Sequence, residues 1–367
     1  MSSSVPKIFV IGGTGAQGIP IVRGLVEDGK YQVRVLTRDI TSKRAQDLQA
    51  LGNVELVVGS FANESRLRAG FRGCAGAYVN IDGFTTGEKG EMFWAMRAYE
   101  LAIDEGVKFF VYGNLDYGTK KGGYDAKYRT GHYDGKGRVG EWMLWQNREN
   151  RGRMGAAVFT SGPYIEMAIA YGTPMMPTME DGVLTWRLPL GDGAVPHVSL
   201  DDCAHYVRWL FDNQERANGM DLEVAIDHIQ YEDVAAAFEK VSGHPAQFID
   251  ISLEEYWKTS PFGGDGAQLS SAIHADPKDP ASLTRQQTFT GFWNLFRDSG
   301  NNTGVIRRDY QLLDEIHPNR IRTVEEYFRR EQEKGEKEGL GSLWDRVQPA
   351  RMKPVLKLAE DGARLGF

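Results

Sequence analysis

The chain has 367 residues, of which 41% are hydrophobic and 25% charged, and its formal net charge is −7. These fractions are typical of a globular protein, and the length suits two domains or one large domain with an elaborated second lobe. No apolar run approaches the roughly 18 residues that a membrane span needs. The acidic balance gives no basic footprint for nucleic acid.

The start of the chain has no cationic segment followed by an apolar one, so no secretory signal is expected. Two cysteines, Cys74 and Cys203, are too few for a disulfide framework. The seven histidines have no metal-ligand spacing. We therefore expect a cytoplasmic protein without a metal centre.

Short apolar runs alternate with segments of helical apolar spacing through the first 115 residues. This alternation predicts a parallel sheet with helices on both faces, because strands buried on both sides read as continuous apolar runs. The predicted strands are 7–12, 32–37, 54–59, 76–81 and 107–113. The predicted helices between and after them are 17–28, 44–51, 64–71 and 91–105.

The pattern changes after residue 113. Residues 114–140 are rich in glycine and tyrosine and predict a loop that enters a helix near 133–146. Residues 156–163 predict a sixth strand, and a further helix is expected at 324–334. The predicted fold is α/β, a Rossmann-type doubly wound parallel sheet with a smaller α+β substrate lobe.

We divide the chain into three parts on this basis. Residues 1–160 are the predicted dinucleotide-binding domain, 161–335 the lobe that meets substrate or partner, and 336–367 a C-terminal extension. Within the lobe, residues 256–303 are rich in Gly, Ser, Pro and Asp, and we expect a long irregular segment there.

The strongest local signal is a glycine-rich turn between the first predicted strand and helix. In such a unit the first glycine permits a tight turn, the second lets the backbone approach a pyrophosphate, and the third lets helix and sheet pack closely. The helix start then offers free N–H groups to phosphates. The turn therefore predicts dinucleotide binding. Its residues are Gly12, Gly13, Thr14, Gly15, Ala16, Gln17 and Gly18.

Arg38 follows the second predicted strand, about 20 residues beyond the glycines, where the adenine ribose is read. A guanidinium here suits the 2′-phosphate of NADP, whereas a carboxylate suits the ribose hydroxyls of NAD. Arg38 favours NADP(H). Asp39 keeps NAD(H) open if the register differs by one residue.

Together with Leu-Thr-Arg-Asp at residues 36–39, the turn resembles the NmrA-like group of atypical short-chain dehydrogenase/reductases. Further similar segments lie at 132–136, 159–166 and 188–202, and the likeness covers residues 5–335. The resemblance implies NADP(H) as cofactor, with Lys136 holding the nicotinamide ribose. Phe61, after the third predicted strand, could pack against adenine.

Catalytic short-chain reductases place Tyr-x-x-x-Lys on one helical face, where the tyrosine supplies a proton. Here the matching pair is His132 and Lys136. His132 can act as an acid or base near neutral pH or can cap the helix. Tyr133 is an alternative donor, and Asn114 stands where relatives carry a serine that orients the substrate carbonyl.

Two functions remain open. An aromatic and methionine-rich second lobe favours an NADPH-dependent reductase of a bulky, largely apolar small molecule bound in an apolar pocket, with specialised metabolism as a candidate setting. The same residues could instead form the core of the lobe. The absent tyrosine favours a non-catalytic NADP(H) sensor that binds a transcription factor, and non-redox use of the nucleotide is a third option.

Overall fold

A computed structural model describes residues 5–150, 152–260, 263–273, 276 and 278–357. The strands are β1 (Lys7–Ile11), β2 (Gln32–Thr37), β3 (Val54–Val58), β4 (Gly76–Val79), β5 (Phe109–Leu115), β6 (Gly155–Ser161), β7 (Thr178–Glu180), β8 (Val183–Leu188), β9 (Val195–His197), β10 (Asp221–Glu223), β11 (Asp227–Ile229) and β12 (Ala246–Asp250).

Helices connect most of these strands, and short 3₁₀ turns lie at Ala126–Tyr128, Ile165–Ile169, Gly264–Gln268 and Gly300–Asn302. The α-helices are α1 (Gly18–Val26), α2 (Lys43–Gln49), α3 (Glu64–Phe71), α4 (Gly83–Asp104), α5 (Gly118–Lys121), α6 (Gly131–Asn150), α7 (Leu200–Asp212), α8 (Gln214–Ala217), α9 (Tyr231–Ser242), α10 (Leu253–Thr259), α11 (Arg285–Arg297), α12 (Tyr310–Ile316), α13 (Val324–Lys337) and α14 (Leu343–Arg346).

The central sheet has seven parallel strands in the order β10-β6-β5-β4-β1-β2-β3. The strand order reverses beside β1, so the carboxyl ends of β1 and β4 open at the switch point where doubly wound sheets bind nucleotides. The predicted Rossmann-type sheet is confirmed. Its strand β10 comes from beyond residue 160, so later parts of the chain also build this sheet.

Both faces of the sheet are buried. In β1, Ile8 and Val10 pack on one face with α1 and α7, whereas Phe9 and Ile11 pack on the other face with α3, α4 and α6. Successive strand side chains point to opposite faces, so a continuous apolar run supplies both. This explains why the strands were readable from the sequence.

The second lobe has its own core beside the carboxyl ends of these strands. A three-stranded sheet in the order β12-β8-β7 packs with α9, α10, α11 and α13 around Trp186 and Trp293, which are both fully buried. Met175 is also fully buried there, and Met167 and Met179 pack against the cluster. These three methionines therefore contribute to the core of the lobe.

The segment 256–303 is less irregular than expected, because α11 occupies residues 285–297. A reciprocal capping box starts this helix: Thr284 accepts from the Gln287 backbone, and the Gln287 side chain accepts from the Thr284 backbone. Its apolar face then follows helical spacing and packs into the lobe core, with Phe289, Phe292, Trp293 and Phe296.

Across the described ranges, every helix is too short or too polar to cross a bilayer.

Candidate active site

The glycine-rich turn joins β1 to α1 at the switch point of the sheet. Gly12 has φ +83°, and a Cβ there would lie 2.5 Å from the Asn80 carbonyl oxygen. A Cβ on Gly18 would lie 2.1 Å from the Gly12 carbonyl oxygen. Both obstacles are backbone atoms, so these two positions require glycine.

The start of α1 fits a dinucleotide pyrophosphate. No side chain caps the helix at Gln17, and the Ile19 N–H donates to the Gly15 carbonyl at 3.1 Å. A helix start without a side-chain cap is suited to an anionic ligand. Gly15 and Ala16 are half-buried at the surface of the turn, and Gly15 N–H donates to the Gly12 carbonyl at 2.9 Å. A backbone hydrogen bond therefore closes the turn, and no side chain caps the helix that follows it.

Gln17, expected at the cofactor, points into the protein. Its amide nitrogen donates to Ser161 Oγ at 3.1 Å. Its amide oxygen accepts from the Tyr78 hydroxyl at 2.6 Å and from Asn80 Nδ2 at 2.9 Å. The side chain therefore ties the turn to β4 and β6, and it is 4% exposed.

Lys136 is linked to Gln17 through Asn80, which hydrogen-bonds to both side chains. Its ammonium donates to Asn80 Oδ1 at 2.9 Å and to the Ile81 carbonyl at 2.8 Å. A longer contact of 3.3 Å reaches the Gly113 carbonyl. Glu91 Oε1 forms an ion pair with the ammonium at 2.7 Å. The cation is therefore fixed at the carboxyl ends of β4 and β5, next to the turn.

Glu91 is fully buried. Burial raises the pKa of its carboxyl to about 7, although the neighbouring Lys136 ammonium acts in the opposite direction. The sequence analysis missed both Glu91 and Asn80. Two signals were available in the sequence. Glu91 is a charged residue on the same helical stripe as the buried Ala95 and Ala98, and Asn80 is an amide directly after an apolar strand.

His132 packs against two phenylalanine rings, and we call Phe84, His132 and Phe289 the aromatic wall. Ring centroids are 4.6 Å apart for Phe84 and His132, and 5.7 Å apart for His132 and Phe289. Nδ1 of His132 is buried without a hydrogen-bond partner. Burial, with a smaller effect of the Lys136 charge, lowers the pKa of the imidazole to about 3. The ring is neutral at pH 7, so it is not a protonated acid there.

Tyr133 packs into the core of the second lobe, and Asn114 bonds to strand β6. Tyr133 is 2% exposed, and its ring packs 6.0 Å from Phe292 and 6.2 Å from Phe296 in the lobe core. Burial raises the pKa of its hydroxyl well above the usual value. The Tyr133 ring also lies edge-on to that of His132, with 5.0 Å between centroids. Asn114, by contrast, donates to Thr160 Oγ1 on β6 at 2.8 Å.

Two residues predicted to contact the nucleotide follow the neighbouring strands β2 and β3. Arg38 directly follows β2, and the half-buried Phe61 lies just beyond β3, the neighbouring strand. The Asp39 carboxylate accepts from the backbone N–H of Thr41 at 2.8 Å and from its hydroxyl at 2.6 Å. The Asp39 carboxylate thus closes the next turn.

A cavity of about 150 Å³ lies in front of the aromatic wall. It is bounded by the start of α4, the start of α6 and parts of residues 270–283. Glu88, Lys89 and Asp279 share the lining with Phe84 and His132, so the lining is mixed rather than apolar. Asn114 lines a separate cavity of about 210 Å³ beside Asp221.

No cluster of three or more His, Cys, Asp and Glu side chains suited to a metal ion occurs within the described part of the chain.

Residues 5–276 match the family model of the NmrA-like family. The NmrA-like family domain-containing oxidoreductase lnaB of Aspergillus flavus is 29% identical over 263 residues, which are 68% of this chain and 77% of that protein. The corresponding oxidoreductase hkm9 of Aspergillus hancockii is 26% identical over 272 residues, 71% of this chain and 78% of that protein.

Solved structures share the fold. NmrA, a negative transcriptional regulator in complex with NADP, has a TM-score of 0.68 at 19% identity over 93% of this chain and 99% of its own. The same regulator also has a structure with NAD. An NADPH-dependent quinone oxidoreductase from Escherichia coli has a TM-score of 0.63 at 17% identity over 87% of this chain and 98% of its own. At these identities the likeness shows the fold alone.

Proposed function

The chain belongs to the NmrA-like family, and from that premise we propose that it is an NADPH-dependent reductase of a bulky, largely apolar small molecule. The observation that carries the proposal is a continuous path of contacts from the glycine-rich turn to a buried cation. Gln17 and Asn80 link the turn to Lys136, one helical turn after His132.

Lys136 is proposed to hold the nicotinamide ribose. Its ammonium has three hydrogens and four acceptors within 3.3 Å. A ribose hydroxyl could replace the longest of these contacts, to Gly113, and leave the Glu91 ion pair intact. A bound NADPH would supply a hydride at the nicotinamide ring. The chain's own task is to orient that ring against the cavity.

NADP(H) rather than NAD(H) is proposed because Arg38 follows β2 and Asp39 is engaged with Thr41. The two relatives are oxidoreductases by name, and the structural neighbours are complexes with NADP or NAD or an NADPH-dependent enzyme. These similarities support a nicotinamide dinucleotide as cofactor, and the proposal of NADP(H) over NAD(H) depends on Arg38.

The aromatic wall gives the substrate its proposed apolar contacts. The cavity in front of it, about 150 Å³, is smaller than the roughly 300 Å³ at the lower end of ligand clefts. We therefore assign it to the reacting end of a larger molecule. The neutral His132 can still donate one N–H hydrogen bond to a carbonyl oxygen of the substrate. The proton that converts the resulting alkoxide to an alcohol would come from water in the open cavity.

Removal of the Lys136 charge tests this function. Lys136→Ala should reduce substrate-dependent NADPH oxidation by about 100-fold or more, because the cofactor loses its positioning group. The variant also leaves Glu91 buried and unpaired, which costs about 3–5 kcal/mol of stability. The double variant Lys136→Met with Glu91→Gln removes both charges and keeps the fold testable.

The matched control is Lys120→Ala, since Lys120 is an exposed lysine that pairs with Glu141. Its turnover should equal that of the wild type. A folded double variant that still oxidises NADPH at the wild-type rate would contradict the assigned role of Lys136.

A second candidate is a non-catalytic NADP(H) sensor that binds a transcription factor. The observation in its favour is His132, which replaces the tyrosine of catalytic relatives and is neutral at pH 7 with a pKa of about 3. This function predicts that NADPH binds but is not consumed with any carbonyl substrate. It also predicts that capture of a protein partner changes when NADP⁺ replaces NADPH.

A further inference from the structure

The C-terminal extension packs onto the second lobe. In α14, Leu343 is fully buried in the lobe core, and Val347 just after it is 1% exposed. The Leu343 N–H donates to Gln332 Oε1 on α13 at 2.7 Å, and the Arg346 guanidinium pairs with Glu331 at 2.9 Å. Residues 343–347 of the extension are therefore fixed against α13 and the core of the second lobe.

Two further anchors lie beyond α14. Met352 packs against the lobe core, and its N–H donates to the Gln348 carbonyl at 2.9 Å. The Lys353 carbonyl accepts from the Tyr171 N–H at 3.1 Å. From Lys353 the chain can extend by only about 14 Å over the next four residues. The position of Lys357 is thus restricted by its neighbours.

Lys357 reaches the glycine-rich turn from the opposite end of the chain. Its ammonium donates to Thr14 Oγ1 at 2.7 Å. Thr14 is 5% exposed and precedes Gly15 in the turn that leads to α1. A cation from the C-terminal extension therefore lies at the turn that the sequence pattern assigns to phosphates.

Charge identifies the class of ligand. The N-terminal end of α1 carries a partial positive charge, and Lys357 adds a full one beside it. An anion that contacts both is favoured at this point. The chain as a whole has a net charge of −7, so a phosphate-bearing ligand needs local cations to overcome the repulsion of the whole protein.

We propose that Lys357 is a phosphate ligand of the bound dinucleotide, so that the C-terminal extension completes the cofactor site. This inference rests on the proposed binding of NADP(H). The phosphate is either the pyrophosphate, which NADH and NADPH share, or the 2′-phosphate, which only NADPH carries.

The test is calorimetric titration of the full chain with NADPH and with NADH. Lys357→Ala should weaken NADPH binding about tenfold, the scale of one charge-assisted hydrogen bond. Lys357→Arg keeps the charge and should restore most of the affinity. The matched control is Lys353→Ala, which removes an exposed lysine of the same segment and keeps the backbone anchor. It should bind as the wild type does.

The outcomes separate the two proposals. An equal loss for NADH and NADPH assigns Lys357 to the pyrophosphate, and a loss for NADPH alone assigns it to the 2′-phosphate. If Lys357→Ala binds as tightly as Lys353→Ala, or more tightly, the inference about the extension is wrong and the proposed cofactor stands. If the wild type binds neither nucleotide, both proposals fall.

Discussion

The glycine-rich turn and the aromatic wall border the same candidate site, but they are built in opposite ways. The turn consists of seven consecutive residues, and its shape depends on backbone atoms that approach one another. The wall takes Phe84 from α4, His132 from α6 and Phe289 from α11. Its shape depends on how three distant helices pack.

This difference predicts different tolerance. Within the turn, one added methyl group would meet a carbonyl oxygen that cannot move without β1 or α1. Within the wall, the rings are 4.6 to 6.2 Å apart between centroids, and an aromatic contact contributes only about 0.5–1.5 kcal/mol beyond area burial. The wall should therefore tolerate substitutions better than the turn does.

The largest effect is expected in the turn. Gly18→Ala would place a Cβ 2.1 Å from the Gly12 carbonyl oxygen, so α1 must shift away from β1. We expect a loss of about 4 kcal/mol or more in the free energy of unfolding, together with loss of NADPH binding. Urea denaturation and NADPH titration measure the two effects.

Gly152→Ala is the matched control, because a Cβ there meets no atom within 4 Å. Its stability should stay within about 0.5 kcal/mol of the wild type. Equal stability of the two variants would show that the turn is as adaptable as the wall, and the contrast between them would fail.

The turn and the sheet were predictable because their signals are local. The run at 7–12 ends in glycine, and helical apolar spacing follows at once, so strand, turn and helix could be read in order. The same holds for the strands of the central sheet, whose apolar runs fill both faces. Arg38 was placed by its distance along the chain from the glycines.

The wall was not predictable because its contacts cross the sequence. The Gly, Ser, Pro and Asp content of 256–303 predicted an irregular segment and so missed α11. The capping box at Thr284 and Gln287 was a local sequence signal for the start of this helix. The partners of Lys136 lie on β4 and α4, and only the fold brings Asn80 and Glu91 to it. The contact between Lys357 and Thr14 joins the two ends of the chain.

The next effect concerns Glu91, which joins the two regions through Lys136. Its pKa is raised from the ordinary value of 4.5 to about 7. A carboxyl with a raised folded-state pKa contributes stability that is fully present below pH 4.5 and is lost as the pH rises through about 7. The wild type should therefore lose up to about 3 kcal/mol of its unfolding free energy between pH 4.5 and 7 through this group. Glu91→Gln cannot ionise and should not show this loss.

Urea unfolding at a series of pH values measures that difference. Glu166→Gln is the control, because Glu166 is a buried carboxyl whose pKa is raised to about 8 and whose partner is the Leu200 N–H rather than Lys136. It should weaken the pH dependence over a range that starts at the same pH and extends to about 8, and it should leave NADPH affinity unchanged. Parallel curves for the wild type and Glu91→Gln would exclude a titrating Glu91.

The smallest effect sharpens the nucleotide side. Arg38→Ala should weaken NADPH binding by about 1–3 kcal/mol and leave NADH binding nearly unchanged, because only NADPH carries the phosphate that a guanidinium can chelate. Lys43→Ala is the control, since this exposed lysine pairs with Asp47 at 2.8 Å and lies close to Arg38 in sequence. An equal loss in both variants would mean that general positive charge, rather than Arg38 itself, attracts the cofactor. Equal affinity of the wild type for NADH and NADPH would overturn the assignment of NADP(H).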